Sequence, residues 1–474
     1  MASMALVLTV CFLGFFVPAP SVAWPSNNND FLRCLSTNIP SQLVLTPSSP
    51  SFTPLLVSSI RNARLVAPAT ANPPLCIVTP TNASHVQTAV RCGRRHSVRV
   101  RVRSGGHDNE GLSYRSTTPN GEAFAVIDLA KLHAVHVNPH EATAWVETGA
   151  TVGELYYRIA TAAPGLGFPA SVCPTVGVGG IISGGGIGLM MRKYGLSADN
   201  VLDASMVDAN GNLLANKKAM GTTSSGPSAA AVAGTSASCC RGSSGSCQSH
   251  RNTTVATMHS RFPELGVTSA DCKEMSWLQY TAYIYFGDAI NSKPLEALLL
   301  NRSTTLGPLV KNKSDYVKKA LTKETWKKIF LWPNGAASGQ LILEPHGGIM
   351  DRIGAAKIPF PHRSSVLYNI QYVELWNGKE VGGNVTPNWI GSLYNFMAPY
   401  VSKNPRGAYV NYRDLDIGAN KVVDGVISYD SAKVWGESYF GQENFRRLAE
   451  IKRKVDASDY FQSEQSVPPL PFNE

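Results

Sequence analysis

Arg103-Ser104-Gly105-Gly106-His107 and, further along the chain, Cys173-Pro174-Thr175-Val176-Gly177-Val178-Gly179-Gly180 decide the fold; the second stretch continues into Ser183-Gly184-Gly185-Gly186-Ile187-Gly188. Glycine lets a main chain approach a ligand closely, and consecutive backbone N–H groups in such loops form a concavity that binds anions. One imidazole and one thiol beside these loops suit the covalent attachment of a phosphate-bearing cofactor. The two stretches therefore predict a cofactor-binding protein.

Both stretches resemble those of the berberine bridge enzyme-like flavoproteins of plants, which are FAD-linked oxidases of the vanillyl-alcohol oxidase type. The segments that match this family in order and spacing are 101–116, 169–211, 368–376, 409–418 and 435–469. The resemblance implies an α+β class and a two-domain, PCMH-type FAD-binding fold. In that fold the substrate domain is an antiparallel sheet covered by helices.

The resemblance also implies a cofactor site. His107 and Cys173 would bond the same FAD, at its 8α-methyl and C6 positions. The remaining cofactor-binding residues that we expect are Ser104, Gly105, Gly106, Thr148, Gly149, Ala150, Gly177, Gly179, Gly180, Ser183, Gly184, Gly188 and Asn411. The strict dinucleotide pattern G-x-G-x-x-G is absent around residues 177–188, so a Rossmann fold is not favoured. A purely structural role of these glycines in tight turns is the alternative.

Substrate residues are expected at two places. Tyr412 matches the active-site tyrosine of the family and is our candidate base, and Gln371 matches a substrate-pocket glutamine. A tyrosine with its usual pKa of about 10 needs a positive field to act as a phenolate. Asn369 stands where the family has a lysine for this purpose, and Ile187 replaces a tyrosine of the alcohol-oxidising members. The alternatives are a strand-anchoring hydroxyl for Tyr412 and a cross-strand hydrogen bond for Gln371.

Asp414 and Asp416, which follow Tyr412 closely, are interpreted as structural partners of Arg413.

The composition is that of a globular protein with room for two cores, since 43% of the residues are hydrophobic and 16% are charged. The formal net charge is +10, but the basic residues are dispersed and no nucleic-acid-binding motif accompanies them. We therefore expect no nucleic-acid partner. The charge suits association with acidic cell-wall polysaccharide, or only a solvated basic face.

Residues 1–23 have the features of a secretory signal peptide. An apolar run from Leu6 to Val17 is too short to span a membrane, and small residues precede Trp24. No later stretch is apolar enough to cross a bilayer. Glycosylation sequons begin at Asn82, Asn301, Asn312 and Asn384. We therefore expect a glycoprotein that is secreted to the apoplast or cell wall.

The nine cysteines fit this compartment. The resemblance implies a disulfide between Cys34 and Cys92. No metal site is expected, because Cys239, Cys240 and Cys247 lack a second pair of cysteine or histidine ligands at zinc spacing.

The chain divides into the signal peptide and four further parts. They are the FAD-binding domain over 24–220, an anomalous tract over 221–257, the substrate domain over 258–430 and a C-terminal segment over 431–474 that returns to the FAD domain. The patterns predict strands over 123–129, 144–148, 204–207, 341–344 and 367–376, and helices over 152–163 and 444–455, with another beginning over 318–328.

The tract is rich in Ala, Ser, Gly, Thr and Cys and has no periodicity. One interpretation is a flexible surface insertion. The other is a reading-frame error or a real frameshift, because the family has an aromatic, glycine-rich stretch at this point.

These observations together predict a secreted FAD-dependent oxidase. It would remove a hydride from an alcohol, a monolignol or an oligosaccharide and pass the electrons to O2, giving H2O2. The alternatives are a flavin dehydrogenase with another electron acceptor, or a catalytically impaired scaffold of the same family that binds glycans.

Overall fold

The computed structural model describes residues 27–117, 123–220, 231–238, 240–241, 251–303, 309–332, 338–376, 389–423 and 426–471. The predicted signal peptide and the sequon at Asn384 lie outside the described residues. Among the helices that the structure describes, none has both the length and the apolar character needed to cross a membrane.

A four-stranded sheet with mixed strand directions forms the first layer. Its strands are β1 (Val44–Leu45), β2 (Ile77–Val78), β3 (Arg99–Arg103) and β4 (Phe124–Asp128), and the helices around it are α1 (Asn27–Asn38), α2 (Phe52–Ser58), α3 (Val66–Ala71) and α4 (Ala83–Arg95). The order is β1-β2-β4-β3, with β2 and β3 parallel to β4. Every residue of β4 is buried, as expected of a parallel strand covered on both faces.

Helices α1 and α4 pack together over this sheet. Phe31 and Leu35 of α1 share a core with Val86 and Val90 of α4. The expected disulfide between Cys34 and Cys92 joins the two helices, with an S–S distance of 2.01 Å.

A second, antiparallel sheet follows. The strands of this region are β5 (Val135–Asn138), β6 (Thr143–Glu147), β7 (Leu166–Gly167), β8 (Val201–Val207), β9 (Leu213–Leu214), β10 (Ala231–Ser238) and β11 (Cys240–Arg241), and its helices are α5 (Val152–Ala162), α6 (Val178–Ser183), α7 (Met191–Tyr194) and α8 (Lys217–Met220). The five-stranded order is β5-β6-β10-β8-β9, and β7 pairs with β11. Helix α5 begins at a capping box in which Thr151 and Glu154 bind each other's backbone N–H groups.

Strand β10 lies inside the anomalous tract and yet occupies the centre of this sheet. It pairs with β6 on one side and with β8 on the other, and the register with β8 shifts twice. Pairing uses backbone groups, so a segment of small residues can fill this position. For residues 231–238, the interpretation as a flexible surface insertion is therefore wrong.

The third layer carries the expected antiparallel sheet of the substrate domain. Its strands are β12 (Leu309–Val317), β13 (Ser338–Pro345) and β14 (Tyr368–Trp376), and the helices of this region are α9 (Arg251–Arg261), α10 (Trp277–Phe286), α11 (Leu295–Leu299), α12 (Lys323–Phe330) and α13 (Trp389–Met397). The order is β12-β14-β13. Helices α12 and α13 cover one face, where Ile329 and Leu393 pack on Ile370 and Tyr372.

The chain ends with a short hairpin of β15 (Val422–Val423) and β16 (Val426–Ile427), and with helices α14 (Tyr429–Phe440) and α15 (Gln442–Val455). Residues beyond α15 reach the first sheet. The Tyr460 hydroxyl donates to the Val98 carbonyl at 2.9 Å, and Glu464 forms a buried ion pair with Arg101 at 3.1 Å. The C-terminal segment thereby closes one side of the space between the sheets.

Candidate active site

The two glycine loops of the sequence pack directly against each other. The first follows β3, and the second leads into α6. A Cβ atom on Gly105 would lie 2.3 Å from the Gly177 nitrogen, and one on Gly177 would lie 2.1 Å from the Ser104 hydroxyl oxygen. Only glycine permits this approach. The close contact brings the residues that follow Gly105 beside those that precede Gly177.

His107 and Cys173 consequently meet at one side chain, Thr175. The His107 Nε2 atom is 2.8 Å from the Thr175 hydroxyl oxygen, and the Cys173 sulfur is 3.5 Å from the same oxygen. Burial, together with the nearby Arg61 guanidinium, lowers the pKa of His107 to about 3. The imidazole is therefore neutral at physiological pH, as a ring nitrogen that attacks an electrophile must be.

Two further residues, Arg61 and Tyr285, lie near Cys173, and neither was predicted from the sequence. The Arg61 guanidinium interacts electrostatically with Cys173, and one of its N–H groups donates to the Arg302 carbonyl at 3.0 Å. Burial and a hydrogen bond with Cys173 raise the pKa of Tyr285 to about 12. Neither residue belongs to a local motif, because the turn after α2 and the end of α10 bring them here from distant parts of the chain.

A cavity of about 1010 Å³ opens beside His107 and Cys173. Its volume is at the top of the range of about 300–1,000 Å³ that is usual for ligand sites, as a dinucleotide requires. The expected cofactor residues that line it are Ser104, Gly105, Gly106, His107, Thr148, Cys173, Gly177, Gly179, Gly180, Ser183, Gly184 and Asn411. A Cβ atom on Gly180 would meet nothing within 4 Å, so the wall is open there. The residues present fit FAD.

Three expected cofactor residues lie behind the cavity wall instead. A Cβ atom on Gly149 would lie 1.7 Å from the Leu129 carbonyl oxygen, and one on Gly188 would lie 1.9 Å from the Ala170 carbonyl oxygen. Ala150 is fully buried in the core around α5. The small size of these three residues serves packing, and their contact with a cofactor stays a prediction.

The C-terminal segment supplies wall residues that were not predicted individually, among them Phe461, Gln465 and Val467.

Tyr412 and Gln371 line the substrate side of the same cavity. Gln371 donates from Nε2 to the Asn312 Oδ1 atom at 3.1 Å, across the strand pair β14–β12. The Tyr412 hydroxyl donates to Glu344 Oε1 at 2.9 Å. Burial and the Glu344 carboxylate raise the pKa of Tyr412 well above its usual value. The group that binds the Tyr412 hydroxyl is therefore a carboxylate, which does not supply the positive field that a phenolate would need.

Asn411 and Tyr409 fix the loop that carries Tyr412. The Tyr409 hydroxyl accepts from the backbone N–H groups of Gly186 and Ile187 at 3.0 and 3.1 Å. Asn411 donates from Nδ2 to the Ile181 carbonyl at 3.0 Å. The glycine-rich wall and the substrate side of the cavity are thus held together by side chains of one loop.

Asp414 and Asp416 were expected to pair with Arg413, and the structure corrects this. The Lys311 ammonium lies 2.7 Å from Asp414 Oδ1 and 3.1 Å from Asp416 Oδ1, and Lys313 binds the same two carboxylates. Arg413 instead lies 3.3 Å from Asp108, which follows His107. Lys311 and Lys313 are alternate residues of β12, and the sequence around them did not predict that they bind these carboxylates.

The sequons differ in accessibility. Asn82 and Asn301 are exposed. Asn312 is 6% exposed in the middle of β12 and accepts the hydrogen bond from Gln371, so it has no room for a glycan. Glycosylation of Asn312 is therefore a wrong expectation.

Comparisons with known proteins agree with this site. A family model described as "FAD binding domain" matches residues 74–215, and one described as "Berberine and berberine like" matches residues 408–468. Berberine bridge enzyme-like Cyn d 4 of Cynodon dactylon is 43% identical over 522 aligned positions, with 98% of this chain and 97% of that protein covered. Because the alignment is longer than the 474-residue chain, the chain lacks internal residues that this relative has.

Solved structures give the same result. The crystal structure of Phl p 4, described as a grass pollen allergen with glucose dehydrogenase activity, is 43% identical with a TM-score of 0.86, covering 93% of this chain and all of the other. A structure of berberine bridge enzyme with (S)-reticuline is 32% identical with a TM-score of 0.82, covering 94% and 99%. The expected α+β, PCMH-type fold is confirmed. The chain belongs to the berberine bridge enzyme-like family of FAD-linked oxidoreductases.

Proposed function

We propose that this chain is a secreted oxidase that holds FAD covalently through His107 and Cys173 and oxidises an alcohol or a carbohydrate. The electrons would pass to O2 and give H2O2. Residues 1–23 would direct the chain into the secretory pathway, and the exposed Asn82 and Asn301 would carry glycans. The boundaries near residues 220, 257 and 430 are proposed as limits of the FAD-binding and substrate domains.

The observation that carries this proposal is the meeting of His107 and Cys173 at Thr175, on the wall of the cavity that also contains Tyr412 and Gln371. A neutral imidazole and a thiol at one point suit two bonds to neighbouring positions of one ring system. The other wall presents a hydroxyl and an amide, which suit a substrate hydroxyl group.

Tyr412 and Gln371 would each bind a different hydroxyl group of the substrate. A bound FAD supplies the acceptor of the hydride that leaves the substrate carbon. Tyr412 accepts a hydrogen bond from the substrate hydroxyl through its phenol oxygen, because its own proton is donated to Glu344. Gln371 is held by Asn312 and offers its amide oxygen to a second substrate hydroxyl. Glutamine cannot act as a base, so we do not propose berberine-type cyclisation.

The preferred substrate class is a carbohydrate, with monolignols as the second class. Several hydroxyl groups on one ring would use both Tyr412 and Gln371, and a Phl p 4 structure is described as a glucose dehydrogenase. The net charge of +10 supports contact with acidic wall polysaccharide.

A dehydrogenase is the second candidate. Wild-type Phl p 4.0202 is described as a glucose dehydrogenase, and a single-substitution variant of Phl p 4 as a glucose oxidase, so one side chain decides the acceptor in that protein. Reoxidation of the reduced protein in air separates the two: completion within seconds indicates an oxidase. A third candidate is a glycan-binding scaffold, which is favoured because this chain lacks internal residues that Cyn d 4 has. Such a protein would purify without flavin.

Covalent attachment is tested by acid precipitation of the purified protein, followed by mass spectrometry of its peptides. Flavin should remain on peptides that contain His107 and Cys173. The variants His107→Ala and Cys173→Ala should each keep one bond, and the double variant should release all flavin. Unmodified His107 and Cys173 in protein that still oxidises glucose would contradict the proposal.

A further inference from the structure

Glu344 lies behind Tyr412 as seen from the cavity. It is opposite Asn369 in the β13–β14 register. Tyr412 is among the residues that line the cavity and Glu344 is not. The Tyr412 hydroxyl donates to Glu344 Oε1 at 2.9 Å, and Glu344 Oε2 is buried without a hydrogen-bond partner. One oxygen of this carboxylate is therefore free to take a proton.

The groups that face Glu344 do not neutralise its charge. Tyr316 of β12 and Tyr409 interact with it electrostatically, and both are phenols whose pKa burial raises. His346 contacts the Glu344 backbone carbonyl at 3.1 Å, and burial lowers its pKa to about 4, so it is neutral. Arg363 is held by both oxygens of Asp199, at 2.7 and 2.9 Å. In the part of the chain that the structure describes, no cation pairs with Glu344.

We propose that Glu344 is the final acceptor of the proton that the substrate hydroxyl loses, acting through Tyr412. This inference rests on the proposed function. The substrate O–H proton moves to the Tyr412 oxygen while the Tyr412 proton moves to Glu344, so the phenol stays neutral and the carboxylate becomes a carboxylic acid. A bound FAD would accept the hydrogen of the substrate carbon together with its electron pair, and the carbon–oxygen bond would become a carbonyl. Glu344 is thus a positioning residue that never touches the substrate.

Glu344 could take over the task that the resemblance assigns to a lysine at the position of Asn369. A nearby cation would let Tyr412 exist as a phenolate. A carboxylate that accepts the phenol proton lets Tyr412 pass on the substrate proton while it stays neutral, so no phenolate is needed. Burial raises the pKa of Glu344 to about 7, which the Tyr412 hydrogen bond opposes. A base is most effective when its pKa is near the working pH.

The first test is stopped-flow reduction of the flavin by glucose, in the parent and in Glu344→Gln, between pH 5 and pH 9. Glutamine can still accept the hydrogen bond from Tyr412 but cannot take the proton. The parent rate should rise with pH and level off above about 7. The variant should lose this rise and be roughly 100-fold slower at pH 8, as expected for removal of a general base. Glu450→Gln, an exposed carboxyl paired with Arg446 on α15, is the matched control.

The second test needs no turnover. A carboxyl whose folded-state pKa is raised contributes stability that is complete below its unfolded pKa and is lost as the pH rises through about 7. The melting temperature of the parent should therefore fall relative to that of Glu344→Gln between pH 5 and pH 8. Equal pH dependence of melting in both proteins, or an unchanged pH profile of flavin reduction in the variant, would overturn the inference. If the folded parent is not reduced by any alcohol while the melting difference is present, the proposed function fails instead.

Discussion

At the residue scale, Arg61 stands out because it acts on both expected attachment points. Its positive charge helps to lower the pKa of His107 and interacts with Cys173. A nearby cation stabilises the thiolate, which is the reactive form of cysteine. Arg61 therefore adds to the effect of burial that keeps the imidazole neutral, and its charge would stabilise negative charge that develops on the sulfur during attachment.

We expect Arg61→Met to bind FAD but to form the bond at Cys173 less completely. Arg61→Lys keeps the charge and should retain most of this bond. The measurement is the modified fraction of the Cys173 peptide by mass spectrometry, after equal incubation of each apoprotein with FAD. Complete modification in Arg61→Met would show that the charge is not needed.

At the element scale, strand β12 joins the substrate sheet to the cofactor loops through buried charges. Lys311 binds Asp414 and also Glu110, three residues after His107, at 2.7 Å each. Although burial opposes it, Asp414 and Glu110 raise the pKa of Lys311, and Lys311 with Arg64 lowers that of Glu110. The pairs fix β12 against both the His107 loop and the Tyr412 loop.

Replacing Lys311 by Met should lower the free energy of unfolding by about 3–5 kcal/mol, because two buried carboxylates lose a partner. Lys273→Met is the control, because it removes an exposed ion pair with Asp288. Solvent screens this pair, so the variant should unfold at nearly the same urea concentration as the parent. Urea unfolding measures both. Similar losses in the two variants would mean that the buried network contributes little.

Several strands and helices could be predicted from the sequence alone. Runs of strand-forming residues predicted β4 and β14, and the amphipathic pattern over 152–163 predicted α5. The resemblance of short motifs identified the residues at His107, Cys173 and Tyr412. It could not identify Arg61 or Glu344, because nothing near them in sequence distinguishes them. Their roles come from burial and from the register of β13 with β14, which only the folded chain determines.

At the scale of the whole molecule, the tract over 221–257 separates two well-formed halves. Its strand β10 completes the second sheet through backbone pairing, with two shifts of register against β8. The chain also lacks internal residues that Cyn d 4 has. The hypothesis of a shifted reading frame would account for both the unpatterned residues and the irregular pairing of β10 with β8.

The codons that such a shift implies can be worked out. If Ala229 to Gly234 is encoded by GCG-GCG-GCG-GTG-GCG-GGN, reading from each third base gives GGC, GGC, GGT, GGC and GGG, a run of glycines. Ser225-Gly226-Pro227, encoded by TCT-GGG-CCN, gives TGG-GCC, which is Trp-Ala. Whichever codon Cys239 has, its third base followed by the first two of Cys240 gives leucine. With these codons, the shifted frame would encode the aromatic and glycine-rich type of sequence expected at this point of the family.

We therefore expect the transcript to carry a change of frame near codon 220. Restoring the frame should give the tract the aromatic and glycine-rich residues that the family has at this point. The restored protein should bind FAD more completely than the unrestored chain, because glycine lets the backbone approach a bound cofactor closely. Sequencing of complementary DNA, with expression of both versions, measures this. A transcript that encodes the printed residues, and a protein that holds FAD equally well in both versions, would show that the tract is native.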